Sequence, residues 1–334
     1  MILLHVDPAH PDPAALRRAA GVLRGGGLVA FPTETVYGLG AHALDPAAVH
    51  RIYEAKGRPA YNPLIVHLAD AAAARALASA WPEEARRLAA AFWPGPLTLV
   101  LPKHDSIPDS VTAGLPSVAL RVPAHPVAHA LLREAGIPVA APSANRSTGV
   151  SPTTAQHVAA SLGGRVDVIV DGGPCPVGIE STVLSLAGPV PTLLRPGTIS
   201  VDDLRPVIGE VALPSAATDA TAARPSPGML DRHYAPRAAV RIVPRQERER
   251  VLADAARRVD EGKRVGALLL EDAGDPRIAP AVRMPDDPAG YAARLYAALH
   301  ELDDAGCDVI LIDPPPDAPA WAGVRDRLRR ATTE

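Results

Sequence analysis

The sequence predicts a two-domain protein in which β-strands and helices interleave: a first part with an α/β or α+β core, then a small Rossmann-like α/β unit. Three observations predict it. The 334 residues exceed what one ordinary core accommodates. Apolar, strand-like runs alternate with segments of helical spacing. Between about Pro206 and Pro236 the alternation gives way to Pro, Ala, Ser, Thr and Asp, the composition of a linker or a functional lid. The expected boundaries are therefore 1–205, a linker and lid at 206–237, and 238–334.

Residues 12–24 have helical spacing, with Leu16, Ala19, Ala20 and Leu23 on one face, and Gly25, Gly26 and Gly27 close the helix. Residues 28–31 read as a buried strand. Pro32 stops it, and the polar run Thr33, Glu34, Thr35 leads into a turn through Tyr37, Gly38, Leu39 and Gly40. Strand ends of this kind are where ligands sit in α/β proteins. A helix over 47–55 precedes Lys56-Gly57-Arg58-Pro59, and a second apolar run covers 64–68. Further strands are expected at 97–101, 118–122, 139–141, 166–170, 181–186 and 192–194, with helices between several of them. Beyond the break, strands at 239–243, 265–270, 282–284 and 309–312 alternate with helices at 247–259, 288–305 and 320–330. No internal repeat, G-x-x-x-x-G-K-[ST] loop or G-x-G-x-x-G fingerprint occurs.

Composition narrows the class. With 47% hydrophobic and 21% charged residues the chain can fold without help from metal or disulfides. Cys175 and Cys307 lie far apart and match neither a disulfide framework nor a zinc spacing, which fits reduced thiols in a cytoplasm. Met1 to Val6 run directly into Asp7, Pro8 and Pro11, with no basic start and no long apolar span, so neither export nor a membrane is expected. A net charge of -3 offers no broad basic surface, and stable RNA binding is not expected. Lysine occurs only at Lys56, Lys103 and Lys263 among 34 basic residues, a mild sign that a compact ammonium is wanted at those places.

Four clusters place hydroxyls, an amide or a cation just after an apolar strand or helix. The first, Pro32 to Gly38, is a site edge or a polar strand cap. Lys56-Gly57-Arg58-Pro59, with Asn62 and His67, can grip phosphate, or it is basic charge at a helix C-terminus. His67 lies in an apolar strand, as a hydrogen-bonded core histidine or a holder of a substrate carboxylate or hydroxyl. The third cluster joins Ser117 and Arg121 to Ala141-Pro142-Ser143-Ala144-Asn145 and Ser151; Arg121 needs an anionic partner, either a substrate carboxylate or a structural Asp or Glu. Gly178 to Val183 with Leu194-Arg195-Pro196-Gly197 is the fourth, where Arg195 points at phosphate or at solvent. No serine lies in a G-x-S-x-G elbow, and no Cys-His or zinc constellation appears.

Read together, eight strings in order are similar to the YrdC-like family, specifically its long, two-domain threonylcarbamoyl-AMP synthases. They are FPTETVYGLG, KGRPAYNPLIVHL, WPGPLTLVL, VALRVPAHP, APSANRSTGVSPT, GIESTV, LLRPG and SPGMLDRHYAP. The resemblance implies a twisted open α/β catalytic domain with a large, positively lined cavity. It implies that Arg58, Asn62, Ser117, Ser143, Ser151 and Arg195 hold ATP, that Lys56 and Arg58 act in catalysis on the phosphates, and that His233 and Tyr234 reach back over the nucleotide. Thr35, His67, Arg121, Ala141 and Ser181 would surround L-threonine. Leu230 and Asp231 stand where many relatives carry a basic residue. The implied reaction joins L-threonine, bicarbonate and ATP, with Mg2+ accompanying the ATP and no protein-bound metal. Its product would pass to a tRNA threonylcarbamoyl transferase that modifies the adenosine beside the anticodon. Two rivals stay open: a carbamoyl-adenylate-forming domain of the hydrogenase-maturation type, which the scattered cysteines argue against, and a double-stranded RNA or nucleotide-binding module without catalysis. Residues 238–334 resemble the family's smaller domain only in position and pattern.

Overall fold

The computed structural model describes residues 1–213, 233–271 and 275–332. Ten strands form one twisted sheet: β1 (Ile2–His5), β2 (Val29–Phe31), β3 (Gly38–His42), β4 (Ile65–His67), β5 (Leu97–Pro102), β6 (Ser117–Arg121), β7 (Val139–Ala140), β8 (Val168–Asp171), β9 (Thr182–Ser185) and β10 (Thr192–Arg195). Their lateral order is β1-β8-β2-β3-β7-β4-β6-β5-β9-β10, with parallel and antiparallel neighbours mixed. A second sheet, β11 (Ala239–Ile242), β12 (Val265–Leu269), β13 (Ala281–Arg283) and β14 (Val309–Ile312), has the order β11-β14-β12-β13 and is parallel throughout.

Alternation along β2 shows how the large sheet is covered. Val29 and Phe31 enter a cluster with Leu16, Leu23, Leu131 and Leu132 of helices Pro13–Arg24 and Pro126–Ala135. Ala30, pointing the other way, joins a larger cluster with Val49 and Ile52 of helix Pro46–Lys56 and Leu88 of helix Glu83–Phe92. Helix Pro13–Arg24 starts where Asp12 accepts from the Ala14 and Ala15 amides at 2.9 and 3.3 Å, satisfying two donors the helix leaves unpaired.

Three elements differ from the sequence reading. Gly38 to Gly40 are not a turn but open β3; glycine disfavours strands, yet a Cβ at Gly40 would lie 2.8 Å from both the Phe31 ring and a Val139 methyl. Residues 2–5, read only for their bearing on export, form β1 at the edge of the sheet beside β8. Helix Val201–Ile208 runs through Pro206, where the linker was expected to begin; a capping box between Ser200 and Asp203 starts it and Leu204 anchors it. Leu230 and Asp231 lie outside the described residues.

The two sheets share an apolar core. Val36, Val150 and Ile179 beside the large sheet pack into one cluster with Tyr234, Tyr291, Leu295, Tyr296, Leu299 and Trp321, so helix Pro288–Asp304 is an inner wall between the domains. Among the described residues no helix is long and apolar enough to cross a membrane.

Candidate active site

The loops that leave β2, β4, β6 and β7 converge with those flanking β9 and β10 on one pocket, lined by Thr33, Thr35, Arg58, His67, Arg121, Ala141, Ser143, Glu180, Ser181, Arg195, His233 and Tyr234 among others. Thr33 shapes the first loop. Its hydroxyl donates to the Val36 carbonyl at 2.6 Å and lies 2.8 Å from the Thr35 hydroxyl, which in turn accepts from Arg121 at 3.0 Å.

Strand register explains why His67 and Arg121 meet: β4 and β6 are parallel, with His67 directly opposite Arg121. The acid that Arg121 needed is Glu34, at 2.7 Å. Burial first, and then the neighbouring Arg121 charge, push the His67 imidazole down to about 3, so the ring is neutral at physiological pH.

Arg58 follows the end of helix Pro46–Lys56 and is held by main-chain carbonyls: Nε donates to Asn62 at 3.1 Å and an amino group to Pro63 at 2.9 Å. No carboxylate is among those partners. Burial, with Arg195 nearby, lowers it to about 10, and it remains charged. Arg195 donates to the Ser181 carbonyl and hydroxyl, each at 3.1 Å, while that hydroxyl lies 2.8 Å from Thr98. Arg58, Arg121 and Arg195 thus reach the pocket from three separate segments, as anion recognition requires.

Not every residue named from the sequence lines the pocket. The Lys56 ammonium turns to the Ser143 and Asn145 carbonyls, both at 2.5 Å, and so ties down the 143–145 turn. That turn is also bonded to β3 and its approach through the Leu39 amide to Pro142 and the Ala144 amide to Tyr37. Burial holds Lys56 well below its ordinary value. Ser117 opens β6 opposite Pro102, part-buried. Ser151 is fully buried and donates to Glu180 at 2.5 Å. Asn62 adjoins Arg58 through its carbonyl, while both ends of its buried side-chain amide lack a hydrogen-bond partner among the described residues.

His233 and Tyr234, the described end of the segment expected to cover the site, line the pocket with ring centroids 4.1 Å apart. Tyr234 has a left-handed backbone, φ +61°, a costly conformation for a bulky residue that its packed surroundings impose. Its hydroxyl and His233 Nδ1 are buried without partners among the described residues. Burial drives His233 down to about 3.

Glu180 belongs to the GIESTV string, and its role is visible only in the structure. Ser151 donates to its Oε1; Tyr296 and Arg327 donate to its Oε2 at 2.9 and 2.8 Å. Burial opposes ionisation, yet Arg327 and Arg195 bring the carboxyl down to about 2. The only signal in the sequence was a charged residue inside an otherwise apolar and hydroxylic string. Arg327 gave no signal, since helix Ala322–Ala331 carries several arginines. Among the described residues no three His, Cys, Asp or Glu side chains gather as a metal site.

Residues 21–197 match the Sua5/YciO/YrdC family model, described as "Telomere recombination", and residues 199–333 match the model described as "Threonylcarbamoyl-AMP synthase, C-terminal domain". The threonylcarbamoyl-AMP synthase of Pyrococcus abyssi is 46% identical over 321 residues, covering 95% of this chain and 94% of that one. That of Bacillus subtilis is 46% identical over 329 residues, covering 97% and 95%. The crystal structure of P. abyssi Sua5 complexed with L-threonine superposes with a TM-score of 0.93 at 44% identity, over 99% of this chain and 98% of that one.

Proposed function

The chain belongs to the two-domain threonylcarbamoyl-AMP synthases of the Sua5/YrdC family, and from that premise we propose that it is a nucleotidyltransferase making L-threonylcarbamoyladenylate and pyrophosphate from L-threonine, bicarbonate and ATP. The observation that carries the reading is the pocket itself. Three buried arginines point into it, and buried polar atoms of Asn62, His233 and Tyr234 in and beside it have no partner among the described residues. A protein interior rarely tolerates such groups unless a ligand completes them.

Threonine fits the Thr35, His67, Arg121, Ala141 and Ser181 side, where a neutral imidazole and a fixed guanidinium suit a hydroxyl and a carboxylate. That a relative was crystallised with L-threonine supports threonine as a substrate. ATP fits the Arg58, Ser143 and Arg195 side, with Asn62 and Ser151 behind it and His233 and Tyr234 above. Ser117 belongs to the same proposed nucleotide set. Magnesium would travel with the triphosphate, because Glu180, the carboxylate that lines the pocket, is already occupied by three donors.

The chemistry requires no protein nucleophile. The threonine amine adds to carbon dioxide, or to bicarbonate with loss of water, and gives up a proton. An oxygen of the resulting carbamate bonds to the α-phosphorus as the bond to the bridging oxygen breaks and pyrophosphate leaves. Arg58 and Arg195 offset charge on the phosphates; Arg121 orients threonine; Lys56 keeps the 143–145 turn in place. The labile adenylate would then go to a separate transferase in the cytoplasm that modifies tRNA beside the anticodon.

Pyrophosphate release, measured with ATP, Mg2+ and bicarbonate plus L-threonine, serine, alanine or carbamoyl phosphate, tests the proposal. Release that depends on both threonine and bicarbonate supports it. Release with carbamoyl phosphate alone would sink it in favour of a carbamoyl-adenylate enzyme, and salt-sensitive RNA binding without any release would favour a binding module.

A further inference from the structure

Glu180 presents a difficulty for any nucleotide site. It lines the pocket beside Ser181 and in the same field as Arg195, and a bare carboxylate there would repel phosphate in a medium that screens charge poorly. Its counter-charge comes from the other domain. Arg327, on helix Ala322–Ala331 and 0% exposed, donates through Nε to the Glu180 carboxylate at 2.8 Å and through one amino group to the Glu180 carbonyl at 3.0 Å. The second amino group donates to the Pro196 carbonyl at 2.7 Å, next to Arg195, and to the Asp326 carboxylate at 3.1 Å. Arg329 and Arg330 pair with Asp326 as well, so that Glu180 is the carboxylate with no other salt-bridge partner among the described residues. The guanidinium carbon also lies 5.4 Å from the centre of the Tyr234 ring. One side chain therefore touches the segment bearing Ser181, the segment bearing Arg195 and the residue over the pocket. Tyr296, also from the second domain, adds a hydrogen bond to the same carboxylate.

We infer that Arg327 is a positioning residue of the nucleotide site: the C-terminal domain supplies it to neutralise Glu180, so that the pocket presents net positive charge to ATP. This gives the smaller domain a role in catalysis without its touching substrate, and it rests on the nucleotide reading of the pocket. Charge neutralisation is separable from packing. A packing role is lost with the side chain and cannot be recovered elsewhere, whereas a neutralising role becomes unnecessary once Glu180 is uncharged.

The test compares wild-type protein with Arg327→Met, Glu180→Gln and the double variant. Two quantities are read: pyrophosphate release as a function of ATP at saturating threonine and bicarbonate, and binding of a non-hydrolysable ATP analogue. Arg327→Met should raise the KM for ATP by about 10-fold or more with a smaller change in kcat, because it leaves a buried charge unpaired against the phosphates. Adding Glu180→Gln should return KM to within about threefold of wild type. An unchanged KM in Arg327→Met, or a double variant no better than Arg327→Met, would overturn the inference. Should Arg327→Met fail to fold, Arg327→Lys carries the test, since it keeps the charge and loses the fork. A lowered melting temperature with KM within about threefold of wild type supports neutralisation, and a rise of about 10-fold contradicts it. Wild-type protein that neither releases pyrophosphate nor binds nucleotide overturns the functional reading as well; active wild type with an unaffected Arg327→Met overturns this inference alone.

Discussion

The Arg121 guanidinium meets the Glu34 carboxylate at 2.7 Å, and the two side chains are only 4% and 7% exposed. The pair stands behind the proposed threonine site: Thr35 takes one amino group of the arginine and the Gly95 carbonyl accepts from Nε. Replacing Arg121 by Met should both remove threonine-dependent turnover and lower folding stability by about 3–5 kcal/mol, because Glu34 is left buried and unpaired. Urea denaturation reads the second effect, and a variant as stable as wild type would show that the pair contributes no stability.

Lys56 offers a sharper distinction. If its ammonium held phosphate directly, replacing it would affect turnover alone. Since it donates to the Ser143 and Asn145 carbonyls, Lys56→Met should also cost about 2–4 kcal/mol of stability. Faster amide exchange across the 143–145 turn, followed by mass spectrometry, is the expected signature.

Acid should weaken the fold through histidines that burial keeps neutral. His67 and His233 are pushed down to about 3 and His157 to about 4. Below about pH 6.5 the unfolded chain takes up protons that the folded one cannot, so each such histidine removes up to about 1.4 kcal/mol per pH unit until its folded value is reached. Glu180, held at about 2, adds a further loss as pH falls below the ordinary carboxylate range toward 2. Melting temperature should therefore drop steadily from pH 6.5 to 4, and His67→Asn should flatten that slope; an unchanged slope would show that His67 does not contribute to it.

Gly178 sits at the boundary between the domains with φ +79°, and a Cβ there would lie 2.4 Å from the Ala292 carbonyl. Helix Pro288–Asp304 has no room to give, because its opposite side is in the shared core. Gly178→Ala should destabilise the protein by about 1–3 kcal/mol and displace the helix, reducing activity although no pocket group changes. Thermal melting and pyrophosphate release together would check this.

Much of the site could be read from the sequence because its parts follow one pattern, a hydroxyl or cation just beyond an apolar run. Thr35, Arg58, Ser143 and Arg195 obey it and line the pocket, joined there by His67 and Arg121 at the ends of β4 and β6 and by Ser181 just before β9. Strand β3 escaped because its glycines are there to let the Phe31 ring and Val139 approach, a tertiary requirement that local propensity opposes. Lys56 was placed near phosphate by its neighbours in sequence, but the direction of its side chain depends on a turn 87 to 89 residues away. Arg327 was illegible for a similar reason. Only its tertiary contacts, with Glu180, Pro196 and Tyr234, distinguish it from Arg325, Arg329 and Arg330 on the same helix.

Glu180 and Arg327 are 147 residues apart along the chain. On a ribosome, the ten-stranded sheet can emerge and form while its buried carboxylate still waits for a partner, since domains generally fold in the order in which they are made. An incomplete nascent chain would therefore bind cellular ATP poorly, and competence to bind it would arrive with helix Ala322–Ala331. A premature stop codon just before that helix should then be as damaging to activity as one far upstream.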